Sequence, residues 1–385
     1  MVLVVFSLFG CNYPDLTTGE DKAIATGSEI NDEDTVRIGY FHGGRTHILY
    51  RSYVNSEFEN EAVDVTFLTK YARKDELYPV PKKHEEVIKI FEEEKTIFRN
   101  KVISINNKSG NIEYPEFYKF GSVTGPEIVD SMLKGNLDGG TIGEASFIYH
   151  ISKNSPIIAV AMLGYEEKDR PGKAFVLRKG IVINNSDDFK GKTLAYRRAG
   201  PLDKILLLEF LKSEGVKEED VVIRADIWVD EQKTLMQEGK IDGGMFHLHP
   251  AKNLVTLDAG YIYRKMDWID FEISHGLLVF NKDFYDENKE EIKKIIRTYI
   301  KRIHYEHNLT EEERKEPTEF GLQMELDFKG MNLPQYKDKP FVRIDLLEQM
   351  QDLELEYGVI QNKTDISSFV DQEIVSEVLE ELGYT

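Results

Sequence analysis

The chain is expected to fold as an α/β protein of two lobes with a ligand cleft between them. Three observations carry that expectation. Strand-like and helix-like segments alternate along most of the 385 residues, which favours largely parallel sheets covered by helices. That length accommodates two to three domain-sized units. One short pattern, Gly-x-[Leu/Ile]-Asp-Gly-Gly, is written twice, at Gly135–Gly140 and again at Gly239–Gly244, each time after a segment of helical periodicity.

The elements follow in order. "TVRIGYF" (Thr35–Phe41) reads as a buried strand, "HGGRTH" as a turn and "ILYRSYVNSEFEN" as an amphipathic helix. "AVDVTFL" (Ala62–Leu68) is a second strand. A charged helix is expected over Lys83–Lys101, and "NIEYPEFYKF" reads as extended. "TGPEIVDSMLKG" is a helix with Pro126 in its first turn and Gly135 near its stop. "LDGGTIG" begins as a short strand, "ASFIYHISKN" is helical, and "PIIAVAML" is a buried strand. "KAFVLRKG", "GIVINN", "KTLAY", "DVVIRADI", "IDGGMFH", "LVTLDAG" and "HGLLVFN" read as strands. Pro201–Val216 and Asp230–Gly239 read as helices, and one long helix is expected over Lys282–Tyr305. In the repeat, Gly135 and Gly239 suit helix stops. The glycine pairs let the chain pass close to other backbone or to a ligand. Asp138 and Asp242 are read as structural turn residues.

The net charge of −20 repels phosphate backbones and argues against a nucleic-acid partner. The single cysteine, Cys11, forms no disulfide within the chain and no cysteine-based zinc cluster. It ends the apolar run "MVLVVFSLFGC", which is too short to span a bilayer and fits the core of a signal peptide. Leu8-Phe9-Gly10-Cys11 resembles a bacterial lipobox, in which the cysteine carries the lipid, although Phe9 is bulky there and no basic residue precedes the run. Residues 12–35 then serve as a flexible tether to a membrane surface. The alternative is a short apolar tail packed on the domain.

The order of motifs over Gly121–Asn253 resembles the substrate-binding proteins of ABC importers of the nitrate/sulfonate/taurine type. It is carried by "TGPEIVDSMLKGNLDGGTIGEA", then "PIIAVAML", then "NSDDFKGKTLAY" with Asp188, Gly191 and Lys192. "LKSEGVKEEDVV", "LMQEGKIDGG", "GLLVFNKDFYDENKEEIKKII" and the closing "VLEELGY" extend it to about Val36–Thr385. The resemblance implies a periplasmic-binding-protein fold of the second type. Lobe 1 would be 36–174 plus 274–385, with an insertion near 70–111, and lobe 2 would be 175–273. The crossovers would fall near Ala174–Arg178 and Ile273–Val279. It further implies an extracytoplasmic receptor that hands a small anionic or polar organic solute to separate permease and ATPase chains by hinge closure. No cofactor is implied.

Ligands of open α/β sheets bind outside the carboxyl ends of the strands. That rule selects five loops, and with them Arg45, Thr46, Ser122, Thr124, Thr141, Glu144, Tyr196, Arg197, Arg198 and His247. Arginine forks and helix N-termini suit an anion. Arg197 and Arg198 are adjacent, so at most one faces the cleft. His247 and His249, two apart on an expected strand, share a face; two histidines do not fill a zinc site, and with only His275 or Glu144 to offer as a third ligand no metal is assigned. Trp228 and Trp268 are read as core more readily than as ring-stacking groups.

No nucleophile elbow, phosphate-binding loop or dinucleotide fingerprint is present, so no catalytic residue is assigned. Two other classes stay open. One is a sensing domain for a membrane signalling partner. The other is a pyrimidine-synthesis-type enzyme on the same fold, which carries a cysteine-rich segment that this chain lacks.

Overall fold

A computed structural model describes residues 35–41, 44–70, 77–80, 82, 124–166, 171–197, 201–227, 229–310, 313 and 336–384. All of them belong to one compact unit, Asp34–Thr385. The lipobox-like segment, Cys11, the tether and the expected helix Lys83–Lys101 lie outside the described residues, as do the extended reading of 111–120 and Trp228. Of the 70–111 stretch, the structure describes mainly a short strand.

The first sheet contains β1 (Val36–Gly39), β2 (Val65–Lys70), β3 (Leu77–Pro79), β4 (Gly139–Ile142), β5 (Ile157–Met162) and β13 (Leu277–Asn281), in the order β3-β2-β1-β4-β13-β5. The second contains β7 (Lys173–Arg178), β8 (Thr193–Arg197), β9 (Val222–Ile227), β10 (Gly243–His247) and β11 (Gly260–Lys265), in the order β11-β7-β10-β8-β9. Between them a two-stranded ladder pairs β6 (Tyr165–Glu166) with β12 (Ile273–Ser274). The sheets are mixed rather than largely parallel. β1 runs parallel to β2 and β4, but β13 returns antiparallel between β4 and β5. Likewise β7 is antiparallel to β10 and β11. The chain enters the second sheet at Lys173, where β7 begins.

Each sheet is covered on both faces. The long helix Lys289–His307 buries Ile292, Ile295, Ile296, Tyr299, Ile300 and Ile303 against one face of the first sheet, an i, i+3, i+4, i+7 stripe. The helices Gly125–Leu133, Glu144–Ile151 and Ile344–Glu356 cover the other. Pro201–Ser213 covers one face of the second sheet, and Val229–Gln237 with Leu248–Thr256 the other. Among the described residues no helix is long and apolar enough to cross a membrane.

Three sequence expectations are corrected. "LVTLDAG" is the end of the helix Leu248–Thr256. Leu248, Ala251 and Leu254 are buried while Val255 and Leu257 are exposed, a helical period that the apolar pairs disguise. "GIVINN" alternates as a strand would, with Val182 68% exposed between partly buried Ile181 and Ile183, yet it joins no sheet. The expected single helix from Lys282 breaks at Asn288, between Lys282–Glu287 and Lys289–His307.

The repeated motif has one structural meaning in both lobes. Gly135 and Gly239 adopt φ of +73° and +72° after their helices, the left-handed stop that glycine takes without penalty. The next residues enter β4 or β10 beside a parallel neighbour. Asp138 accepts hydrogen bonds from the backbone N–H of Arg37 at 2.7 Å and from its guanidinium at 2.6 and 3.0 Å. Asp242 accepts from the backbone N–H of Thr193 at 3.0 Å and from Arg178 at 2.9 Å. The following glycines sit against close neighbours: a Cβ on Gly244 would lie 2.5 Å from the Ala195 carbonyl oxygen, and one on Gly140 would lie 2.4 Å from the Ile128 side chain. The aspartates are therefore structural, as the sequence indicates.

Glu354, on the helix packed against Glu144–Ile151, is fully buried with neither carboxyl oxygen hydrogen-bonded. Burial, then the neighbouring Glu144 carboxyl, push it up to about 9.

Two stability predictions follow from these anchors. Asp138→Ala and Asp242→Ala should each cost about 2–3 kcal/mol, since each strands a strand-edge N–H and an arginine. Urea denaturation measures this, and a loss below about 0.5 kcal/mol would remove the anchoring role. For Glu354, below the ordinary carboxyl range both folded and unfolded chains are protonated and nothing is lost. As pH rises towards 9, the unfolded chain releases a proton that the folded chain keeps, so stability falls. Glu354→Gln should accordingly stabilise by about 2–4 kcal/mol at pH 7.5 and by almost nothing at pH 4. Equal effects at both pH values would contradict this account.

Candidate functional site

The carboxyl ends of β1, β4, β8 and β10 and the crossovers between the sheets bring eight ionisable side chains into one network. Arg45 comes from the turn Gly44–Thr46 after β1, and Glu144 opens the helix after β4. Arg197 ends β8, Asp203 lies in the first turn of the next helix, and His247 ends β10. Glu166 and Lys173 flank the first crossover, and His275 follows β12 in the second.

Two carboxylates are firmly paired. Glu166 accepts from Lys173 Nζ at 2.8 Å and from the Gly172 N–H at 3.1 Å, with His275 Nδ1 at 3.2 Å. Asp203 accepts from Arg197 Nε at 2.7 Å. Arg45 lies over the Phe41 ring, 4.0 Å from its centroid. Its guanidinium fits because residue 143 is glycine: a Cβ there would sit 3.0 Å from an Arg45 terminal nitrogen. Arg45 Nε and Glu144 Oε1 are buried without a hydrogen-bond partner.

The electrostatics follow from burial and from these neighbours. Desolvation lowers Arg45 to about 10, with Glu144 acting in the opposite sense. Desolvation raises Glu144 to about 7, opposed by Lys173 and Arg45. Burial acts to raise Glu166, but Lys173 and His275 outweigh it and hold the carboxyl well below its usual range. His247 is held well below the usual imidazole value by burial, Arg197 and Lys173, and His275 is lowered chiefly by burial. Both rings are thus neutral near pH 7. The arrangement offers donors, acceptors and both signs of charge in a desolvated recess between two sheets.

Of the sequence-selected residues, Arg45, Glu144, Arg197 and His247 share this network. Thr141 is fully buried and its hydroxyl has no hydrogen-bond partner. Thr46 is also fully buried and donates to the Phe41 carbonyl, closing its own loop. Thr124 caps the helix Gly125–Leu133, with its N–H and hydroxyl both donating to Glu127 at 2.8 Å. Tyr196 packs against the core of the second lobe, as strand alternation requires when Arg197 faces the recess. Ser122 and Arg198 lie outside the described residues. The shared-face geometry for His247 and His249 does not occur, because the strand ends at His247 and His249 is helical. Among the described residues no three His, Cys, Asp or Glu converge as metal ligands would. Trp268 packs on the second core, its indole N–H donating to the Leu206 carbonyl at 3.1 Å. Glu166, Lys173 and Asp203 were not selected from the sequence. For Glu166 and Lys173 the signal was positional: the two crossovers lie between the sheets.

Several known structures share this architecture. A ligand-binding component of an ABC-type import system from Staphylococcus aureus, with zinc bound, superposes at a TM-score of 0.63 with 13% identity, over 90% of this chain and 99% of that one. The periplasmic aliphatic sulphonate-binding protein SsuA of Escherichia coli gives a TM-score of 0.58 and 14% identity over 88% and 92%. The desulfurization enzyme DSZB gives 0.55 and 10% over 91% and 99%. At such identities the likeness is one of fold. No curated protein matches by sequence. Residues 125–311 match the family model described as NMT1/THI5 like, and the chain shares the two-lobed α/β fold of these periplasmic binding proteins.

Proposed function

We propose that the protein is an extracytoplasmic solute receptor, anchored to a membrane through lipidated Cys11, that delivers a small anionic or polar organic solute to an ABC permease and its ATPase. One observation supports this most: a buried network of charged side chains, contributed by both lobes and by both crossovers, lies between two sheets. Lobe 1 is read as residues up to the first crossover plus those after the second, and lobe 2 as the stretch between. A ligand that touches both lobes stabilises the closed arrangement, and the closed population rises by its differential affinity for that state. The cation of Arg45 from lobe 1 and the imidazole of His247 from lobe 2 are the contacts assigned to opposite sides.

A second reading is favoured by one feature. A carboxyl held near pH 7 in a cleft, as Glu144 is, is also what a general base requires. An enzyme on this fold would convert the molecule it binds, whereas a receptor releases it unchanged.

Native mass spectrometry of the purified protein, before and after mild denaturation, should show a released small molecule of one mass. Re-binding of that molecule should shrink the radius of gyration in solution scattering and leave the molecule intact. Arg45→Ala should weaken its affinity at least tenfold, about 1.4 kcal/mol. An unchanged radius of gyration on re-binding would rule out hinge closure, and a chemically altered product would favour the enzyme.

A further inference from the structure

The two sheets are joined by more than the crossovers. The helix Pro201–Ser213 covers the second sheet with Leu206, Leu207, Phe210 and Leu211, all buried in that core. A second stripe of the same helix, Leu202, Ile205, Glu209 and Lys212, has the i, i+3, i+7, i+10 spacing of one face and turns to the other side. Ile205 is fully buried in the core of the first sheet, and Leu202 packs on both cores. Opposite stands the helix Ile344–Glu356, which packs on Glu144–Ile151, on β12 and on Pro201–Ser213. Its Leu353, and Tyr357 just beyond its end, likewise pack on both cores. The Tyr357 hydroxyl donates to the Glu209 carboxylate. Lys212 Nζ lies 2.8 Å from Glu356 and 3.2 Å from Glu209.

This seam is separate from the charged recess. Asp203 faces the recess, and Glu209 and Lys212 lie about 9 and 14 Å further along the same helix at its usual rise. The seam is also built to part. Its apolar centre is shared between the cores and is only partly buried at Leu202, Leu353 and Tyr357. Its polar rim is open to water, with the Lys212 and Glu356 side chains 58% and 50% exposed. An exposed ion pair of this kind holds weakly and exchanges readily with solvent. Separation of the sheets would therefore uncover a modest apolar area and break contacts that water can replace.

We infer that the helix Ile344–Glu356 is a strap, which grips Pro201–Ser213 across the junction and biases the empty protein towards the closed arrangement. Closure then belongs in part to the chain itself. A molecule entering the recess needs less differential affinity to complete it, because the binding-competent arrangement is already well populated. The strap reaches the recess through Glu144–Ile151, the helix that it packs along and that Glu144 opens. The inference goes beyond the receptor reading and does not depend on it, since a strap serves equally whether the recess holds a solute to deliver or a substrate to convert.

The test measures the separation of the sheets in the full chain, freed of small molecules by unfolding and refolding. Spin labels go on Leu133→Cys and Val182→Cys, two exposed positions beside the first and the second sheet, with the single native cysteine changed by Cys11→Ser. Pulsed electron resonance then gives the distribution of distances between them. The unmodified strap should give one dominant distance. Lys212→Glu sets a third carboxylate beside Glu209 and Glu356, and should raise the population at other distances about threefold or more. Adding Glu356→Lys to that variant restores an opposite-charge pair and should return the original distribution. Raising salt to about 0.5 M should loosen the unmodified strap and tighten the Lys212→Glu variant, because screening weakens attraction and repulsion alike. Lys212 and Glu356 are half-exposed, so the exchanges leave the cores intact. One distribution common to all the variants, or a charge swap that fails to restore the original, overturns the inference. Either result leaves the receptor reading standing, which fails instead on unchanged scattering when the released molecule is re-bound.

Discussion

The Glu166 carboxylate receives Lys173, the Gly172 N–H and His275, and those partners come from both strands of chain that pass between the sheets. Its own residue pairs with Ile273 in the β6–β12 ladder. One buried anion therefore fastens the first crossover to the second. Such a charge is tolerated only because every partner is present; removing one would leave it stranded in a poorly solvated place. The rest of the recess is arranged around it. Lys173 is fixed between Glu166 and the field of Glu144, the two imidazoles stay neutral among cations, and Arg45 is left as the cation with an open donor. Gly172 is required for the same reason, since a Cβ there would come within 2.9 Å of the carboxylate carbon.

Much of the fold was legible because buried strands write long apolar runs. "PIIAVAML" becomes β5, whose six residues are all buried. The repeat was legible because it answers one mechanical need twice, stopping a helix with glycine and clipping the start of a strand to its neighbour with aspartate. The errors came where a short apolar run fits two periods. Leu254–Leu257 reads as a strand until Leu248 and Ala251 are seen to share its buried face. The antiparallel return of β13 was hidden for a different reason: pairing direction leaves no mark in a strand that is buried on both sides.

The candidate site divides along similar lines. The rule that ligands meet the carboxyl ends of strands led to Arg45, Glu144, Arg197 and His247, and the fold brings all four into one network. It could not separate them from Thr46, whose hydroxyl donates to the Phe41 carbonyl, or from Thr124, whose hydroxyl donates to the Glu127 carboxylate of its own helix. Short polar residues beside a helix start have two uses, and only the hydrogen-bond partner tells them apart. Glu166 and Lys173 sit in "GYEEKDRPGK", where six charged residues in ten look like ordinary solvated surface. Asp203 was concealed as one acidic residue in the first turn of an amphipathic helix.

The position of β13 has a consequence for how the molecule is assembled. Leu277 pairs with Ile142, about 135 residues earlier in the chain, so an interior strand of the first sheet arrives only after the whole second sheet has been made. The second sheet is contiguous, with all five strands between Lys173 and Lys265. A chain emerging amino end first can close the later lobe before the earlier one, whose β4 and β5 wait with a strand-wide gap between them. Such long-range pairing slows folding and leaves unpaired edges open meanwhile.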